Sequence, residues 1–327
     1  YHKHTTPGNL AIQEHTFYTY DHAGRLKNTH HQVNDREAFT LTINSYDELG
    51  RISSQLLNNQ IEEIQYDYNI RNQLSGIQSR NFEQALHYAD GMGAACFNGN
   101  ISSMTWKVTG DSLTRGYKLS YDALSRLTNA EYGEGVSLDQ HTGRFNEQVT
   151  GYDKLGNILG LKRYGRTSGT GYGLIDNLNM TYEGNQLKTV TDNAINSAYA
   201  NDFEFKDGAN LPVEYLYDAN GNLTQDLNKK ITNIQYNCLN LPCRIQFEDG
   251  NSISYLYDAN GTKLRTTHLI DGVTTTTDYC GNAIYENGVL EKLLTEGAYI
   301  TLADTIYHCY LQDHQGNNRL VVNQNGT

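Results

Sequence analysis

Acidic side chains recur in this chain at a fixed distance from glycine, and carboxylates so placed have three chemical uses: acid–base pairs, calcium ligands, or acceptors for backbone amides. The residues are Asp21, Asp47, Asp67, Asp122, Asp153, Asp218 and Asp258, preceded by Tyr20, Tyr46, Tyr66, Tyr121, Tyr152, Tyr217 and Tyr257. Gly24, Gly50, Gly156, Gly221 and Gly261 each stand three positions after an Asp. That spacing suits a type I turn, where Asp at the first position accepts the turn's amide hydrogens and Gly absorbs the positive φ that closes it. A catalytic pair has no reason to recur with a turn glycine. Tips such as Asp218-Ala219-Asn220-Gly221 are oxygen-rich, yet the bidentate Glu that closes a calcium loop at position twelve is missing.

Other reactive residue types offer less. The run from Gly165 to Gly173 contains Gly-x-Gly-x-Gly, but no Lys follows and no helix is predicted beside it, as a phosphate site would require. His2, His4, the pair His30-His31 and His308 lack the paired spacing of zinc ligands and read as surface residues. Five cysteines, Cys96, Cys238, Cys243, Cys280 and Cys309, include no CxxC. Cys243 and Cys309 read as small buried apolar residues, and a Cys238–Cys243 pairing across a turn stays open. No Gly-x-Ser-x-Gly or His-Glu-x-x-His occurs. The reading is therefore of a non-enzymatic chain with no cofactor.

The elements that carry these turns must be strands. In Ile253-Ser254-Tyr255-Leu256-Tyr257 and Val213-Glu214-Tyr215-Leu216-Tyr217, apolar residues alternate with period two, and no segment sustains helical spacing. Each Tyr-Asp phrase thus ends one strand, bends, and starts the next at Leu or Ile. Tyr217, Tyr236, Tyr257 and Tyr279 are 19, 21 and 22 residues apart, room for two short strands and two turns. Weaker copies stand at Tyr88, Tyr182, Tyr236-Asn237 and Tyr310. The predicted fold is all-β: stacked antiparallel hairpins in one continuous, curved or spiralling sheet without internal boundary. Insertions are expected at residues 91–95, 165–173 and 194–207.

Composition agrees with a thin sheet. There are 25 Tyr against 8 Phe and 1 Trp, and only 38% of the 327 residues are hydrophobic. A phenol ring packs on its cross-strand neighbour while its hydroxyl reaches a polar partner, so one sheet face can stay wet. A formal net charge of −12 without a basic stripe argues against nucleic acid. No run of about eighteen apolar residues is present to span a membrane. The start at Tyr1, with no Met or leader, is expected of a piece of a longer protein.

The Tyr-Asp-x-x-Gly phrase resembles the YD repeat of RHS proteins, which include polymorphic toxins, insecticidal Tc-toxin components, cell-wall-associated proteins and teneurins. The segment Tyr310 to Leu320, with Asp313, Gly316 and Arg319, is similar to the opening of the RHS-associated core. On that resemblance residues 1–306 are the repeat array and 307–327 a truncated core. It implies a secreted or cell-surface bacterial protein whose hairpins form part of a shell around its own C-terminal effector, a toxin. The alternative is a surface module binding cell-wall or host glycans. Open sheet edges are expected either to drive self-association or to be covered by Tyr1–Asn9 and the C-terminal strand.

Overall fold

The computed structural model describes residues 2–4, 11–201 and 203–326. Among these the chain is strand and turn, apart from one 3-10 turn at Tyr199–Asn201. Every strand pairs antiparallel with its sequence neighbour, in two sheets that do not close into a barrel. One has fifteen strands, from His2–His4 to Gln186–Asp192, and the other twelve, from Tyr215–Tyr217 to Asn318–Asn323.

The all-β fold follows from the turn chemistry, but the single ribbon expected from the repeats does not form. It breaks between Asp192 and Tyr215, where Asn193, Asn196, Asp207, Gly208 and Pro212 interrupt the alternation. Such residues favour local side-chain-to-backbone bonds over a ladder, and Pro has no amide to donate. The insertion expected at 165–173 is smaller than its glycines suggest. Gly165 pairs with Gly173 inside a long hairpin, and only Thr167 to Gly171 form its loop.

The chain clusters into two compact units. The first comprises Tyr1–Leu86, Trp106–Ser112 and Tyr279–Thr327. Its core joins Leu41, Ile64, Ile77 and Phe82 of the first sheet to Leu293, Ile300, Cys309 and Val322 of the second. The register is visible in Leu26–Val33, where Thr29, His31 and Val33 are buried at every second position. Residues 307–326 contribute two strands to this unit. At its N-terminal edge His2–His4 pairs with Ile12–Tyr20, whereas Tyr1 and residues 5–9, expected to help cover that edge, lie outside the described residues.

The second unit, His87–Thr105 and Leu113–Asp278, has a thinner core around Leu178, Val190 and Tyr215. Within it the seam between the two sheets is stitched by Glu214, which is 1% exposed. Its carboxylate accepts the Val190 amide at 2.9 Å and the Asn228 side chain at 2.9 Å, while its own N–H donates to the Lys188 carbonyl at 2.9 Å. With the Leu211 amide donating to Oε1 at 3.3 Å as well, this buried carboxylate replaces the ladder that the irregular segment cannot supply.

Candidate functional site

The repeated chemistry of this protein is concentrated at its turns. Asp122 is a clear instance: Oδ1 accepts the amides of Leu124 at 2.9 Å and Arg126 at 3.0 Å, and Oδ2 accepts Arg126 Nε at 2.7 Å. Asp21 and Asp47 make the same bonds with Arg25 and Arg51. At Asp153 and Asp218 an Asn replaces the Arg, with Asn157 and Asn222 donating Nδ2 to Oδ2 at 2.8 and 2.9 Å. Asp258 receives the amides of Asn260 and Thr262. Donors to the charged form favour it. The Arg126 amide and guanidinium accordingly hold Asp122 below the usual carboxylate range. Asn222 does the same for Asp218.

Gly24, Gly50, Gly156, Gly221 and Gly261 have φ between +76° and +94°. Where the phrase lacks Gly, Ser125 takes φ +62° in its place.

Each turn is also tied to the one before it by its tyrosine. Tyr46 donates its hydroxyl to the Leu26 carbonyl at 2.7 Å, Tyr121 to Ile101 at 2.9 Å, Tyr152 to Leu127 at 2.5 Å and Tyr217 to Leu187 at 3.0 Å. Tyr257 donates to Pro242 at 3.1 Å, and Tyr68, Tyr182 and Tyr236 follow suit. The guanidinium held by each Asp lies over the next tyrosine ring: Arg25 on Tyr46 at 4.4 Å, Arg51 on Tyr68 at 4.4 Å and Arg126 on Tyr152 at 4.3 Å. Asp, Arg and Tyr thus form a relay that passes from repeat to repeat. The Tyr217 bond carries it across the sheet seam inside the second unit. Tyr20, at the first repeat, is 60% exposed.

One predicted turn is displaced. Tyr66 and Asp67 lie inside the strand Glu62–Tyr68, and the bend comes two residues later, at Asn69 to Asn72. Asn69 Oδ1 accepts the amides of Arg71 at 2.9 Å and Gln73 at 3.1 Å, and Asn72 takes φ +62°. Asn can serve as both acceptor and left-handed residue, so the Tyr68-Asn69 phrase outcompetes Tyr66-Asp67, which has no Gly three residues on. Tyr66 donates instead to Gln55 Oε1 at 2.8 Å.

At the C-terminal end Asp313 accepts the amides of Gln315 and Asn317 at 2.9 and 3.0 Å and Arg319 Nε at 2.8 Å; Gly316 has φ +81°. Burial raises the Asp313 pKa, but the Asn317, Gln315 and Arg319 donors outweigh it and bring it down to about 2.

The sequence reading missed a polar cluster in the core of the first unit. His31, read as a surface histidine, is 1% exposed, because its position in Leu26–Val33 has the parity of Thr29 and Val33. Its Nε2 lies 2.9 Å from Glu14 Oε2 and its Nδ1 2.9 Å from the Tyr307 hydroxyl. With Glu14 ionised, Nε2 donates to the carboxylate. Asn282 at 2.6 Å and His4 at 3.2 Å complete the carboxylate's partners. Burial opposes the charge, yet the donors from His31, Asn282 and His4 hold the Glu14 pKa at about 2. Tyr307 is stacked on Phe39 at 4.0 Å, and burial pushes its phenol above the normal range. Such a phenol is a donor, not a nucleophile. Only the parity of the strand could have flagged His31 in the sequence.

Among the described residues no three His, Cys, Asp or Glu side chains are placed to hold a metal, and no helix is long and apolar enough to cross a membrane. All five thiols are free; Cys309 is buried as expected, whereas Cys243 is only partly so.

No family model matches this sequence, and no curated protein matches it. Solved structures do. The fold superposes on the Photorhabdus luminescens Tc holotoxin pore with a TM-score of 0.71 and 14% identity, over 96% of this chain and 16% of that one. A crystal structure of TcdB2–TccC3 gives a TM-score of 0.69 at 13% identity, covering 97% of this chain and 17% of that one. The same pair without its hypervariable C-terminal region gives 0.66 at 14% identity, covering 96% and 16%. Likeness at this identity establishes the fold. The chain spans about one sixth of the length of these structures.

Proposed function

We propose that this chain is a non-catalytic wall segment of an RHS-type, YD-repeat shell that acts outside the bacterial cell and encloses a C-terminal effector polypeptide. The observation that carries the reading is the superposition on a Tc-toxin chain over 96% of the residues, at a TM-score of 0.71. The turn relay supports it physically. A wall needs stiffness without a thick dry core, and here the repeats are bonded to one another by tyrosine–carbonyl and guanidinium–ring contacts at their turns. The turn carboxylates accept backbone amides through Oδ1, the structural use of an Asp at this turn position.

The test is electron microscopy of the full-length protein together with limited proteolysis. A chamber containing density, with the C-terminal region resisting protease until the wall is unfolded, is the expected result. A solid particle without a chamber, or a C-terminal region cut as fast as a free peptide, refutes the proposal. Isolated as the 327-residue chain, the open strand edges at His2–His4 and Asn318–Asn323 are expected to promote self-association. Sedimentation as a monomer at high concentration counts against that part.

A further inference from the structure

The turn relay is unfinished at its two ends, both of which belong to the first unit. At the start, Tyr20 is 60% exposed and its hydroxyl makes no hydrogen bond among the described residues. At the other end Asp313 holds Arg319 through Nε at 2.8 Å, as Asp122 holds Arg126, but no tyrosine ring lies against that guanidinium among the described residues. Leu26, Ile52 and Leu127, each five residues after a turn Asp, accept a tyrosine hydroxyl at their carbonyls. Asn318 has the same place after Asp313 and accepts none among the described residues.

The strand edges at these ends are open over matching stretches. His2–His4 covers Ile12–Tyr20 only as far as Glu14, so Thr16 to Tyr20 carry no described strand on that side. Asn318–Asn323 pairs only with Ile306–Gln312, and its other side is capped by Asn58, whose Nδ2 donates to the Asn323 carbonyl. Asn34 donates to the Gln13 carbonyl and Gln324 to the Tyr307 carbonyl. By alternation, Thr16 and Tyr18 on one edge, and Arg319 and Val321 on the other, present their backbone groups to the open sides.

Successive repeats also share a register. At four junctions the residue seven after the turn Asp or Asn pairs with the one three before the next bonding tyrosine: Asn28 with Ile43, Ser54 with Gln65, Gly160 with Asn179 and Arg244 with Ser254. The Asp122 and Asp218 junctions differ by one. Carried to the open edges, the four-junction register sets Leu320 opposite Phe17, Arg319 opposite Tyr18 and Val321 opposite Thr16, so the outward backbone groups of the two edges meet. The Tyr20 hydroxyl then falls at the Asn318 carbonyl. The capped residue of one edge, Asn323, comes opposite the covered residue of the other, Glu14.

We propose that a second copy of this chain fills each edge, the Asn318–Asn323 strand of one copy adding antiparallel to Ile12–Tyr20 of the next. The facing side chains suit one another: Leu320 meets Phe17, which is 45% exposed, and the Arg319 guanidinium meets the Tyr18 ring. A second copy is favoured over an unrelated peptide because the carbonyl that Tyr20 lacks and the tyrosine that Asn318 lacks are supplied by this one sequence in one register. The two edges differ, so the contact is heterologous and copies add head to tail. This contact rests on the open edges named above and needs no chamber, so its failure and that of the shell reading are separately visible.

The experiment is sedimentation velocity of the 327-residue chain over a concentration series, with disulfide cross-linking of mixed variants. The mean mass is expected to rise with concentration beyond that of a dimer. Val321→Pro and Thr16→Pro each remove an amide that faces the open side, so both should keep the chain monomeric with an unchanged melting temperature. Tyr20→Phe should weaken association about fivefold, the scale of one neutral hydrogen bond, again without a change in melting. In a mixture of Phe17→Cys and Leu320→Cys chains, peptide mapping should find the disulfide between these two positions. Its yield should be several times that from Phe17→Cys mixed with Asn318→Cys. A monomer up to roughly 1 mM, association that survives both prolines, wild-type association by Tyr20→Phe, or equal yields from the two mixtures overturns the proposal.

Discussion

If the tyrosine hydroxyls bond successive turns together, removing one oxygen should destabilise the second unit by a predictable amount, while removing a tyrosine oxygen that bonds nothing should not. Tyr255 and Tyr257 provide the contrast within one strand, Ser252–Tyr257, with their rings 6.4 Å apart. Tyr257 donates to the Pro242 carbonyl at 3.1 Å; the Tyr255 hydroxyl makes no hydrogen bond among the described residues. A neutral intramolecular hydrogen bond contributes about 1 kcal/mol net, and the half-buried carbonyl left behind adds to the loss. Tyr257→Phe and Tyr217→Phe are therefore each expected to cost about 1 kcal/mol. Tyr255→Phe should stay within about 0.5 kcal/mol of wild type. Tyr217 bonds Leu187 and Tyr257 bonds Pro242, so they share no partner and the double variant should lose about 2 kcal/mol. Urea denaturation followed by far-UV circular dichroism reads these values as a lower midpoint at constant slope. The single tryptophan, Trp106, belongs to the first unit, so its fluorescence monitors a region that none of these substitutions touches. If Tyr255→Phe costs as much as Tyr257→Phe, ring packing alone holds the repeats and the hydroxyl argument fails.

Burial pushes the phenols of Tyr66, Tyr117 and Tyr215 from 10 up to about 12, so each favours the folded state in its neutral form. That stability is complete below pH 10 and is lost as pH rises from 10 towards 12; a pH titration of the urea midpoint showing no fall in this range would contradict it. In acid the sign reverses: Glu14 and Asp313 are held at about 2 against ordinary values of 4.5 and 3.8. Their contribution is full above about pH 4.5 and disappears as pH falls towards 2, which the same titration measures. Tyr307→Phe leaves the buried Nδ1 of His31 without its hydrogen-bond partner and should cost about 1–3 kcal/mol in thermal or urea unfolding. Gly156→Ala places a Cβ in open space at φ +94°, so the loss of about 1–2 kcal/mol expected for a left-handed alanine reports backbone strain alone, and an unchanged midpoint would refute the turn assignment.

The turns were legible in the sequence because their chemistry is local. Asp218, Asn222 and Gly221 interact within five residues, and those contacts exist whatever the rest of the chain does. The displaced bend at Asn69 reflects the limit of that reasoning. Two candidate turns lay two residues apart, and the second won because Asn72 could take the left-handed conformation where the first offered no Gly. His31 was misread because its burial comes from the strand Ile306–Gln312 packing across it, 276 residues away in sequence.

What the sequence determined by itself was the all-β class, the antiparallel pairing of neighbours and the place of the Tyr-Asp bends other than Tyr66-Asp67, since these are set by alternation and by bonds spanning two to four residues. What the tertiary structure decided was where the ribbon divides, which polar groups are buried, and which turn each tyrosine reaches. Those outcomes depend on residues that only folding brings together, as with Glu214 at the sheet seam and Glu14 beside His31. Desolvation makes their hydrogen bonds obligatory, and no local pattern records it.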